Sequence, residues 1–215
     1  MNLIYVADPM CSWCYGFGKS LDALLAAPPA AAAPLQLRLV MGGLRPYTTE
    51  PMAPAKKNEI LGHWRRVQEA SGQPFITPAE SALAAPDFVY DTEPASRATV
   101  AVRTYWPERT WPYFKSVQRA FYAAGRNVVR ADVLAELAAE LDVPVREFAQ
   151  AFDSDEMRAA TRQDFAQSQA WGILGFPALI AERGDALHLV AHGYMNAEAL
   201  HVRLVTFASE RVPAT

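Results

Sequence analysis

The sequence predicts an α/β chain in which a β-α-β unit and a β-β-α unit are separated by a large all-helical insertion. Three observations predict it. The apolar run LIYVA at 3–7 and the alternating run LQLRLVMGG at 35–43 read as strands on either side of a helical stretch. From about residue 45 to 172, apolar residues recur every three or four positions, which is the period of a helix. After Gly175 the pattern returns to two strands and one amphipathic helix. The expected division is 1–44 with 173–215 for the α/β part and 45–172 for the helical insertion.

Each element has a local reason. LIYVA is β-branched and apolar without alternation, as in a strand buried on both faces. The stretch from Ser12 to Ala27 places Leu21, Leu24 and Leu25 on one helical face and stops at Pro28 and Pro29, which cannot continue the hydrogen-bond ladder. The Ala/Pro segment that follows reads as a surface connector. Within the insertion, helices are expected around 56–70, 94–106, 112–124, 130–142, 144–152 and 154–172. Pro94 and Pro144 suit a first helical position, and Ser154 followed by Asp155 and Glu156 suits a cap with an anionic first turn. Beyond Gly175, FPALIAE and ALHLVAHG flank the turn RGD, where Gly184 supplies positive φ, and 196–210 with Leu200, Leu204 and Phe207 on one face should close the chain as a helix.

Composition narrows the function. A chain of 215 residues, 51% apolar and 20% charged, describes a globular protein with a real core. A net charge of −3, with no basic block longer than a pair, argues against nucleic acid as a partner. The longest apolar run, at 24–35, is interrupted by three prolines and too short to span a bilayer, so no membrane partner is expected. The opening NLIYVAD lacks a basic n-region, a long apolar core and a cleavage site, which predicts a cytoplasmic protein.

The only two cysteines lie three apart in DPMCSWCYGFG, after a predicted buried strand and at the start of a helix. At a helix start the first backbone N–H groups lack intrahelical partners and the dipole adds positive charge, so a thiolate at Cys11 is favoured. Cys14, one turn further in, lies on the same face and should be more buried. This assigns Cys11 as the nucleophile and Cys14 as the resolving thiol. A structural disulfide would close too short a loop to stabilise much. Zinc would need two further ligands, and no second C-x-x-C or close histidine pair supplies them, so no metal is expected. Asp8 either opposes the thiolate or bonds the local turn, Lys19 and Arg45 are candidate compensating cations, and the four histidines are assigned structural or surface roles.

The second half of the site is expected at GILGFPALI, 172–180. Taken alone, Pro177 at a strand start favours an ordinary trans peptide. DPMCSWCYGFG after an N-terminal strand, the helical insertion, and GFPALI before a hairpin and final helix together resemble the DsbA-like branch of the thioredoxin superfamily. Over its whole length the chain is similar to the FrnE-like members, relatives of hydroxychromene carboxylate isomerases and kappa-class glutathione transferases. GGLRP at 42–46 and DTEPASRA at 91–98 also look like this branch.

The resemblance implies a thioredoxin-like fold with the insertion roofing the site, and a cis Pro177 beside the cysteines. It further implies that the Phe176 backbone pairs with an extended substrate, while Trp13 lines the groove with Phe176; Trp13 could instead simply pack against the helical cap. The activity implied is thiol:disulfide exchange on protein or small-molecule thiols and disulfides, without a cofactor, with glutathione a candidate redox partner. A glutathione-dependent isomerase or transferase, which uses serine at the position matching Cys11, and a non-catalytic redox sensor are the alternatives. The dipeptide Ser12-Trp13 between the cysteines assigns no direction of electron flow, and no feature sets the oligomeric state.

Overall fold

The structure, a computed structural model, describes residues 1–209. Its sheet has four strands, β1 (Asn2–Ala7), β2 (Gln36–Met41), β3 (Ala178–Arg183) and β4 (Ala186–His192), in the order β2-β1-β3-β4. β1 runs parallel to β2 from Asn2 opposite Gln36 to Ala7 opposite Met41, and antiparallel to β3, with Val6 opposite Ala178. β4 pairs antiparallel with β3. This is the thioredoxin-like arrangement. α1 (Ser12–Ala26) provides the crossover between the parallel strands, and α8 (Ala197–Ser209) follows β4. Glu210, the last residue of the expected closing helix, lies outside the described residues.

β1 lacks alternation because both its faces are covered. Leu3, Tyr5 and Ala7 pack with Phe17 and Leu21 of α1 and with Leu200 and Leu204 of α8. Ile4 and Val6 face the other way, onto Val40, Ile173 and Ile180. The hairpin turn carries Gly184 at φ +58°, as its position in RGD requires.

Between β2 and β3 lie α2 (Pro54–Ser71), α3 (Glu93–Tyr105), α4 (Thr110–Tyr122), α5 (Ala131–Ala139), α6 (Val145–Asp153) and α7 (Asp155–Ala170). Their core is largely aromatic: Trp64, Tyr113, Phe121, Tyr122 and Phe148 pack together, and Met10 and Tyr15 reach into it from the cysteine loop and α1. A buried ion pair crosses one turn of α3, with Arg97 Nε donating to Glu93 Oε1 at 2.8 Å. Arg97 Nη1 also bonds the carbonyl of Phe152.

A second ion pair joins the insertion to the sheet. Arg103 donates to Leu39 O (2.6 Å) and to both oxygens of Asp164, while Met41 N–H donates to Asp164 Oδ2 (2.8 Å). β2 is an edge strand, and its outward-facing polar groups at 39 and 41 are thereby satisfied, which blunts the edge.

Local rules fix most helix ends. Ser154 caps α7 by accepting from Met157 N–H, and Pro94 sits in the first turn of α3. Pro144 is a correction: it precedes α6 as its N-cap residue, with ψ 119°, because the residue after it already supplies the first helical position. Residues 72–92 lie between the helices expected at 56–70 and 94–106 and hold no α-helix. Pro74, Pro78 and Pro86 break the helical period there, leaving two short 3-10 turns at Pro78–Glu80 and Ala82–Ala84. The Ala/Pro connector is more than surface, because Ala32 is buried in the core and its carbonyl accepts from the amino terminus (3.2 Å).

Candidate active site

Cys11 is the N-cap residue of α1, in extended conformation and with no side chain capping the helix. The first intrahelical bond runs from Tyr15 N–H to Cys11 O (3.0 Å), so the N–H groups of Ser12, Trp13 and Cys14 have no helical acceptor. The turn before Cys11 is held from three sides. Its own N–H donates to Asp8 O (3.1 Å), Met10 N–H donates to Asp8 Oδ1 (2.8 Å), and Tyr90 Oη donates to Met10 O (2.6 Å).

Asp8 is wholly buried, and its second oxygen accepts from Leu44 N–H (2.7 Å). It therefore bonds the local turn, and in addition ties that turn to the loop after β2. Burial raises its carboxyl to about 6, although the Leu44, Met10 and Thr92 donors oppose the rise. The segments 42–46 and 91–98 meet behind it: Arg45 N–H donates to Thr92 Oγ1 (3.1 Å), and Thr92 N–H donates to Arg45 O (3.2 Å).

The two thiols differ. Cys11 is 6% exposed and Cys14 is 0% exposed, and both are free thiols. Burial pushes the Cys14 thiol well up, and its hydrogen-bond contact with Cys11 adds to the rise. Tyr5 lies beneath the pair, its Oη donating to Cys14 O (3.3 Å).

Phe176, 165 positions away in sequence, arrives at Cys11: the thiol Sγ lies 3.6 Å from the Phe176 carbonyl oxygen. The Phe176–Pro177 peptide is cis, and β3 starts at the next residue. The Phe176 ring lies over Gly42, where an added Cβ would come within 2.1 Å of it. In the sequence Gly42 reads as the end of a strand and as the first residue of GGLRP, and neither signal names Phe176 as its neighbour. Trp13 packs on Tyr194 (ring centroids 5.8 Å), a residue of the loop before α8 that no motif marks.

The other candidates are engaged elsewhere. Lys19 Nζ donates to Ser71 O (3.4 Å), and the Arg45 guanidinium lies 5.5 Å from the Tyr90 ring. His188 packs on Phe207 and His63 lies beside Glu59 and Arg66, as expected for structural and surface histidines. Among the described residues, no group of three or more His, Cys, Asp or Glu side chains is placed to hold a metal ion, and no helix is long and apolar enough to cross a membrane.

Solved structures with the same architecture carry related chemistry. A candidate protein disulfide isomerase from Nitrosomonas europaea is 38% identical, with a TM-score of 0.86 and 96% of each chain covered. The cytosolic disulfide reductase DsbM from Pseudomonas aeruginosa is 27% identical, with a TM-score of 0.78 over 96% of this chain and 98% of its own, and DsbM with GSH matches as well. A 2-hydroxychromene-2-carboxylate isomerase, 14% identical with a TM-score of 0.64 over 97% of this chain and 93% of its own, shares the fold. A search of curated proteins finds no match. The family of the DSBA-like thioredoxin domain matches residues 2–205, from the first residue of β1 into α8, and the chain belongs to it.

Proposed function

We propose that this protein is a thiol:disulfide oxidoreductase in which Cys11 forms the mixed disulfide and Cys14 resolves it. The observation that carries this reading is the inequality of the two thiols. Cys11, though buried, keeps the 6% exposure that Cys14 lacks, and it stands at a helix start beside the Phe176 carbonyl while Cys14 is wholly buried. The Phe176 backbone would pair with an extended segment of substrate, and Trp13 with Tyr194 would form an aromatic wall beside it.

The reducing direction is favoured. Burial opposes the charged form of Cys14, so the reduced pair gains little from thiolate stabilisation at that sulfur, and a pair whose reduced form is less stabilised gives up its electrons more readily. In reduction, the Cys11 thiolate attacks a substrate disulfide, the substrate S–S bond breaks, and one substrate sulfur departs as a thiolate. Cys14 gives its proton to that departing thiolate and attacks Cys11 Sγ, which releases the second substrate sulfur. Two electrons pass to substrate, and the Cys11–Cys14 disulfide is reduced again by two thiols of the glutathione class. The likeness to a cytosolic disulfide reductase supports this direction and a cytoplasmic setting.

The test is glutathione-coupled insulin reduction with wild type, Cys11→Ser and Cys14→Ser. Cys11→Ser should abolish turnover, and Cys14→Ser should accumulate a mixed disulfide at Cys11, visible by mass. Undiminished turnover in Cys11→Ser refutes the assignment. A reduction potential well above that of the glutathione couple would refute the reducing direction. Saturable conjugation of glutathione to an electrophile, independent of Cys14, would favour a transferase.

A further inference from the structure

The segment before the cis Phe176–Pro177 peptide carries an apolar side chain that the fold leaves outside. Leu174 is 81% exposed, while its neighbour Ile173 is buried and packs with Ile4 and Ile180. Ile173 is fastened twice to Ser168 of α7: its N–H donates to Ser168 O and its carbonyl accepts from Ser168 Oγ, both at 3.0 Å. Gly172, at φ +72°, makes the turn that brings it there. With Ile173 fixed inside, Leu174 is held in solvent, two positions before the residue whose carbonyl meets Cys11.

One exposed leucine is ordinary, but this one has apolar company beside the thiol. The Phe176 ring lies over Gly42, and Leu44, also exposed, follows with its N–H held by Asp8. Tyr47 is 53% exposed at φ +62°, a conformation unfavourable for a bulky residue. Its N–H donates to Asp91 Oδ1 (2.8 Å), and its ring stands edge-on to Phe165 (centroids 6.4 Å), which in turn packs on Gly43. Backbone strain that the surroundings hold in place clusters at ligand-contacting sites.

We propose that Leu174, Leu44 and Tyr47 form a specificity surface that takes apolar side chains flanking the cysteine of a polypeptide substrate, an inference that rests on the thiol:disulfide reading above. The surface is continuous with the backbone edge at Phe176, through the contact of its ring with Gly42. An extended segment paired to that edge presents side chains alternately towards the protein and away from it, so residues next to its cysteine reach this surface. Glutathione has no apolar side chain to lay there. The same Cys11 would thus distinguish the polypeptide disulfide it reduces from the thiol that re-reduces the Cys11–Cys14 pair, since only the polypeptide gains from Leu174 and Tyr47.

The test compares two disulfide-linked peptide dimers, one with leucine on both sides of its single cysteine and one with serine at those places, in glutathione-coupled reduction by the full-length protein. The leucine peptide should have a kcat/KM about tenfold higher, as expected for partial burial of its leucine side chains, with the difference in KM. Leu174→Ser, at an exposed position, and Tyr47→Asn, whose side chain tolerates the left-handed backbone, should each reduce that preference severalfold. A merely structural role would lower both rates and leave their ratio. Equal or slower reduction of the leucine peptide by wild type, or an undiminished preference in either variant, overturns the proposal and leaves the exchange chemistry standing; reduction of neither peptide above the uncatalysed rate overturns both.

Discussion

Replacing Asp8 by asparagine should change how stability depends on pH. Asp8 is fully buried and its carboxyl stands at about 6, against 3.8 for the unperturbed group. That rise corresponds to about 3 kcal/mol, at about 1.4 kcal/mol for each tenfold change in proton affinity. The pKa is raised in the folded state, so the folded protein keeps this proton in a range where the unfolded chain has lost it. The stabilising contribution is therefore complete below the unfolded pKa and is lost as pH rises through the folded value. An asparagine side chain at this position is close in shape to the protonated carboxyl and does not titrate. The assay is urea denaturation of both proteins, kept reduced, from about pH 4 to about pH 7. Wild-type stability minus that of Asp8→Asn should fall by up to about 3 kcal/mol across that range, with its midpoint between the two pKa values. Parallel profiles, or a difference that grows with pH, would refute the account of burial outweighing the Met10 and Leu44 hydrogen bonds.

The rest concern packing. Gly42→Ala puts a methyl group into the Phe176 ring, so it should destabilise by about 1–3 kcal/mol and slow insulin reduction by moving the Phe176 carbonyl from Cys11; wild-type melting and rate would contradict this. Arg97→Met strands the Glu93 carboxylate in the insertion core and should cost about 3–5 kcal/mol in denaturant, whereas adding Glu93→Gln should recover part of it. If the single and double variants are equally unstable, the buried charge is not what destabilises.

The parts of the site that are near in sequence are legible there. The cysteine spacing, the strand before it and the helix after it all lie within residues 2–26, and Ser154 announces the start of α7 by a rule that spans four residues. The parts that are not legible are those where neighbours give conflicting signals. The Ala/Pro segment after α1 reads as a surface connector by its prolines, yet Ala32 is drawn into the core by contacts that no local pattern announces. Trp13 suits groove and cap equally, because an aromatic ring between two cysteines says nothing of the loop that will face it.

By itself, then, the sequence determined the order of elements, the apolar character of β1 on both faces and the thiol pair at a helix start, since each depends on covalent neighbours and on one- or two-turn periodicity. Only the tertiary structure decided that the Phe176 carbonyl stands beside Cys11, that Gly42 must lack a side chain beneath the Phe176 ring, and that Asp8 bridges two loops with its carboxyl buried. Asp8 and Leu44 are 36 positions apart, and Cys11 and Phe176 are 165 apart. Such pairs meet when packing of the sheet and helices excludes water from a shared interior, and no local propensity encodes which groups will face each other there.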